Sequence, residues 1–146
     1  RGLGHFQMGK IPEALADLDR AIALDPLYAN AYVNRGMVRH QQRNYDAAIG
    51  DYSAALRVNV DYAEAFHARG LARAAMQDWR AAIGDYSEAL RLQPTYANAL
   101  LNRARAQRAV GDRAAARADL QAAEAIYRDR QDTAALQQLR DLRNSL

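Results

Sequence analysis

The segment ANAYVNRGMVRHQQRNYDAAIGDYSAALRVNVDY (residues 29–62) runs straight into AEAFHARGLARAAMQDWRAAIGDYSEALRLQPTY (residues 63–96), and the two agree at 16 of 34 positions. A fixed period of this length marks one supersecondary unit used repeatedly. Each copy is too small to bury its apolar face alone and must stack on its neighbours. Residues 97–130 continue in step, and residues 1–28 are the tail of one more copy.

Within each copy the apolar and small residues recur three and four apart, the signature of amphipathic helices. In 29–62 the spacing predicts one helix over residues 29–42 and a second over 45–58, joined at Arg43-Asn44. Gln77-Asp78 and Gly111-Asp112 are the corresponding turns downstream, the glycine suiting a left-handed helix cap. Pro12 falls at the start of a helix, where its missing N–H costs nothing. Gly50 and Gly84 interrupt the second helices at one register and are expected to permit close helix contact. After Arg130 the period is lost. Asp132-Thr133 then opens a last helix with Leu136, Leu139, Leu142 and Leu146 on one stripe, the form expected of a cap that covers the apolar end of a stack. The expected organisation is a single domain: a partial unit (1–28), three full units (29–62, 63–96, 97–130) and a capping helix (131–146).

Half of the 146 residues are hydrophobic, enough for a continuous core, and interspersed charges argue against disorder. No apolar run reaches the roughly 18–20 residues of a membrane span, so the chain reads as soluble, in cytoplasm or periplasm. Cysteine is absent, which removes disulfides, thiolate metal sites and thiol nucleophiles. The first residue, Arg1, falls inside a repeat, and further sequence upstream is expected. Residues 1–96 have no net charge, while 97–146 carry nine Arg against six acids. That modest surplus disfavours nucleic acid as a partner.

The repeat resembles the tetratricopeptide repeat (TPR), over all but about the last 16 residues. The small residue at family position 8 is Gly2, Gly36, Gly70 and Ala104. Position 20 is Ala14, Ala48, Ala82 and Ala116, and position 27 is Ala21, Ala55, Ala89 and Ala123. Position 24, large and apolar or aromatic, is Leu18, Tyr52, Tyr86 and Leu120, and the closing proline of position 32 is kept at Pro26 and Pro94. Tyr28, Tyr62 and Tyr96 end their units and are expected to wedge between one unit and the next. The resemblance implies an all-α, right-handed superhelical solenoid of helix-turn-helix units.

Position 7 departs from the family's usual leucine: Arg1, Arg35, Arg69 and Arg103 stand there, and an acid follows 16 residues on in every unit, Asp17, Asp51, Asp85 and Asp119. Charge on the inner side of a helix is costly unless paired. An Arg–Asp ion pair with a structural role is therefore expected within each unit.

No catalytic or cofactor-binding constellation is present. His5, His40 and His67 lack metal-ligand spacing, the serines lack a triad, and no glycine makes a phosphate loop. By resemblance, the first helices line a concave groove that holds a peptide. The candidate groove residues are Asn34, Met37, His40, His67, Leu71, Leu101, Asn102, Arg105 and Arg108. Asn34 and Asn102 match asparagines that hold a peptide backbone in some TPR grooves, an amide being donor and acceptor at once. Arg105 and Arg108, three apart on one helix, are expected to receive an acidic group jointly. The implied function is a non-enzymatic adaptor binding a protein or peptide partner with acidic groups. Two alternatives are a homo-oligomeric scaffold assembled through the N-terminal half-unit and the substrate-presenting arm of a larger enzyme.

Overall fold

The computed structural model describes residues 10–146, and all regular structure among them is helical. The elements are α1 (Ile11–Leu24), α2 (Ala29–Gln41), α3 (Tyr45–Val58), α4 (Ala63–Ala75), α5 (Trp79–Leu92), α6 (Ala97–Ala109), α7 (Arg113–Asp129) and α8 (Thr133–Asn144). Helices α2 and α3, α4 and α5, and α6 and α7 pack as hairpins, and each hairpin packs on the next through α3 with α4 and α5 with α6. The first helices α2, α4 and α6 also touch in sequence, so they form one continuous wall. The protein is an all-α solenoid, closed at its C-terminal end by α8 against α7.

Helix starts and stops follow local chemistry. Asp112 and Asp132 cap α7 and α8 by accepting the backbone N–H of Ala115 and Ala135. Arg43, Gln77, Gly111 and Gln131 all have positive φ, the left-handed residue that ends a first helix or α7. Only one of the four is glycine, so the turn geometry is imposed at three positions on residues that resist it.

Alanine and glycine permit the close packing within each hairpin. A Cβ added at Gly36 would lie 2.6 Å from Tyr52 Cε1, and one at Gly70 2.6 Å from Tyr86 Cε1. Both rings are buried. In the third hairpin Ala104 stands in the glycine's place and Leu120 in the tyrosine's, a smaller partner that leaves room for the methyl. The glycines expected to allow close contact at 50 and 84 do not: both are exposed, with no heavy atom near their missing Cβ. Their register faces solvent, so no packing reason holds glycine there.

The arginines and aspartates form a chain of contacts. Arg35 donates from Nη2 to Asp51 Oδ1 at 2.7 Å and from Nε to both carboxylate oxygens, and Arg69 repeats this with Asp85. Arg103 grips Asp119 with two bonds of 2.7 Å. These carboxylates are buried, and the bond to Asp51 holds the Arg35 guanidinium above its ordinary pKa. Arg1 lies outside the described residues, and Asp17 sits 3.6 Å from Arg20.

Each carboxylate of the first two full hairpins is held by a further arginine, Arg39 on Asp51 and Arg73 on Asp85. Arg35, Arg69 and Arg103 also reach back to the helix before their own hairpin, to Asp19, Ser53 and Ser87. The third hairpin has Gln107 where the others have Arg39 and Arg73, and its Oε1 is buried without a hydrogen-bond partner.

Candidate functional site

The wall of first helices carries two adjoining cavities. The first, of about 510 Å³, is lined by Val33, Asn34, Met37 and His40 of α2, Glu64, His67, Ala68 and Leu71 of α4, and the rings of Tyr52, Tyr62 and Tyr96. The second, of about 410 Å³, is lined by His67 and Leu71 of α4, Asn98, Leu101, Asn102 and Arg105 of α6, Tyr127 of α7, and Asp132, Ala134, Ala135 and Gln138 at α8. His67 and Leu71 belong to both.

Of the residues expected to line a groove, Asn34, Met37, His40, His67 and Leu71 stand at the first cavity and Leu101, Asn102 and Arg105 at the second. Arg108 lines neither; its Nη1 donates to Ser145 Oγ at 2.8 Å. Arg105 instead donates to Asn102 Oδ1 at 2.9 Å and to Gln138 Oε1 at 3.4 Å. The two guanidiniums thus engage different residues at the C-terminal end and do not converge on one point of the wall. Leu101 is 4% exposed and acts chiefly as core.

His67 is the hub between the cavities. Its Nε2 lies 2.9 Å from Asn102 Nδ2 and its Nδ1 lies 3.1 Å from the Tyr96 hydroxyl. Because Asn102 Oδ1 accepts from Arg105, the amide must present its NH₂ to His67. Nε2 is then the acceptor, and the ring proton sits on Nδ1, directed at Tyr96 Oη. Burial lowers the His67 pKa to about 4 and, with Glu64 adding to it, raises the Tyr96 hydroxyl to about 12. Asn102 is therefore satisfied on both sides by the protein itself, unlike the backbone-holding amide expected of it.

Tyrosines at or near the unit ends account for other polar groups. Tyr62 donates to Asn30 Oδ1 and Tyr127 to Asn98 Oδ1, each at 2.6 Å. In the middle hairpin Glu64 stands where the others have asparagine, and Tyr96 turns to His67 instead. Tyr28 is half exposed. The residues that sequence reading missed are Tyr127 and Gln138. The recurrence of an asparagine at the start of a unit with a tyrosine near its end signals the first; Gln138, on the aperiodic cap, has no such signal. His40 packs edge-on against Tyr45 at 5.1 Å. Among the described residues no group of three or more His, Cys, Asp or Glu is placed to hold a metal ion.

The family model of the tetratricopeptide repeat matches residues 1–65. Over that span, a little under half of its length, the chain is similar to the tetratricopeptide repeat. The crystal structure of MamA superposes on this chain with a TM-score of 0.82 at 24% identity, covering 90% of this chain and 77% of that one. A second MamA structure gives 0.79 at 23% identity, over 90% and 72%. The first TPR domain of Spaghetti (RPAP3), solved bound to the HSP90 peptide SRMEEVD, gives 0.71 at 28% identity, over 75% of this chain and 86% of that one. No curated protein matches the sequence. Among the described residues, none of the helices is long and apolar enough to cross a membrane.

Proposed function

We propose that this protein is a non-catalytic interaction scaffold that takes a peptide segment of a protein partner along the wall formed by α2, α4 and α6. The observation that carries this reading is the first cavity. Met37, Ala68 and Leu71 give it an apolar floor, and Asn34 and Glu64 give it a polar rim. Met37 is 44% exposed although it is a large apolar side chain. Such a surface fits an extended or helical segment with an apolar anchor. The likeness to a TPR domain solved with a peptide supports the same mode.

The test is selection of random peptides displayed on phage against the folded chain and against a Met37→Glu, Leu71→Glu variant of matched circular dichroism. Peptides that are enriched on the parent and lost on the variant are the expected result. Enrichment no better than on a blank surface, or retention equal on both proteins, overturns the groove reading.

A further inference from the structure

The first cavity holds one charge that the protein does not answer. Glu64, exposed in the first turn of α4, lines it, and no cation pairs with Glu64 among the described residues. In the neighbouring first helices the same position is Asn30 and Asn98, each bonded to a tyrosine hydroxyl. The helix dipole favours an acid at this register, but that attraction leaves the carboxylate lone pairs unused. The other titratable groups on the cavity are uncharged at neutral pH. Burial holds the imidazoles of His40 and His67 below their ordinary pKa and the hydroxyls of Tyr52, Tyr62 and Tyr96 above theirs. Arg105 and Asp132 stand on the adjoining cavity and do not line this one. Tyr52 supplies a second observation. Its side chain is 2% exposed and lines the cavity, yet its hydroxyl bonds to no described residue. A buried hydroxyl without a partner is costly until something in the cavity meets it.

Resting on the groove reading above, we infer that this α2–α4 cavity receives a basic side chain, Lys or Arg, of the bound segment, its charged head on Glu64 and Tyr52 Oη and its methylene stem over Met37 and Ala68. An aliphatic stem that ends in a cation matches an apolar floor beside a lone carboxylate, since it satisfies both surfaces at once. The rings of Tyr62 and Tyr96 line the same space, and aromatic faces attract cations further. The cation is organic: among the described residues no group of three or more His, Cys, Asp or Glu is placed to hold a metal ion. The sign is opposite to that expected from Arg105 and Arg108, whose guanidiniums bond to Asn102, Gln138 and Ser145.

The experiment uses peptides recovered by the selection above, synthesised with an acetylated N-terminus and an amidated C-terminus, and titrated calorimetrically. The parent chain and a Glu64→Gln variant of matched circular dichroism are each measured with the basic peptide and with a counterpart in which methionine replaces the basic residue, keeping the stem and removing the charge. Neutralising either side alone should weaken binding about tenfold, as for a lost charged hydrogen bond, and neutralising both should cost little more. Glu64→Lys should reject the basic peptide and spare the methionine counterpart, and Tyr52→Phe should weaken only the basic one. Recovered peptides that depend on Met37 and Leu71 but carry no basic residue, or bind Glu64→Gln as tightly as the parent, overturn this inference and leave the groove reading standing. An equal loss for both peptides on Glu64→Gln makes that residue structural and overturns the inference too. Binding that vanishes on acetylation assigns the cavity to a chain terminus and overturns the side-chain form. A selection that recovers nothing removes both readings together.

Discussion

Arg69 Nη1 donates to Ser53 Oγ at 3.1 Å across the boundary between two hairpins, while the rest of the same guanidinium clasps Asp85 in its own. One side chain thereby fixes the geometry inside a unit and its seating on the unit before. Arg35 and Arg103 are used in the same way. In a solenoid, stability is close to a sum of unit terms and nearest-neighbour terms, and these arginines contribute to both.

Removing the carboxylate and removing the hydroxyl should therefore differ in size and kind. Asp85→Ala leaves Arg69 and Arg73 without their shared buried anion and should destabilise by about 3–5 kcal/mol. Ser53→Ala deletes one neutral acceptor and should cost about 1 kcal/mol. Urea denaturation followed by circular dichroism measures both. Equal midpoints for Asp85→Ala and the parent chain would refute a structural role for the pair.

The glycine–tyrosine contact predicts a rescue. Gly36→Ala forces a methyl onto the Tyr52 ring and should destabilise by about 1–3 kcal/mol. Adding Tyr52→Leu, which recreates the Ala104 and Leu120 pairing of the third hairpin, should recover part of that loss. A double-mutant cycle reads the coupling, and purely additive effects would show that the contact is slack.

Left-handed turn residues offer a gain. Gln77 has φ of 63° and its side chain is exposed, so Gln77→Gly should stabilise by roughly 0.5–1 kcal/mol by relieving the Cβ penalty. At Gly111, with φ of 88°, replacement by alanine should do the opposite. Melting temperatures of the two variants, moving in opposite directions, check the assignment.

His67 sets a pH window. Its folded-state pKa of about 4 lies below the ordinary 6.5, so protonation favours the unfolded chain. The contribution of the neutral ring is complete above about pH 6.5 and is lost as pH falls towards 4. The loss should be on the order of 2–3 kcal/mol across that window. Stability measured at intervals from pH 7.5 to 4 should fall less steeply for His67→Gln than for the parent. Parallel curves would assign the acid sensitivity to the carboxylates.

Much of this protein is legible in its letters because the period is local and repeated. Helix spacing, the small residues at family positions 8, 20 and 27, and the Arg-to-Asp interval of 16 residues recur in copy after copy, so each unit corroborates the others. Glycines 50 and 84 recur equally well, yet they face solvent. A repeat reveals that positions are equivalent; it does not reveal which way they point.

The sequence by itself determined the helical solenoid, because binary patterning at a fixed period leaves few other ways to bury the apolar stripes. Tertiary structure alone decided who shares each polar group. Ser53 and Ser87 look inert in the sequence and become acceptors only because the next hairpin stacks an arginine over them. Asn102 looks free to hold a ligand, but His67, 35 residues earlier, and Arg105 take its two ends. Gln138 reaches the wall because α8 packs back on α7 and brings it beside Arg105. Hydrogen bonds are short and directional, so their partners depend on how whole helices are placed in space, which no single unit's letters encode.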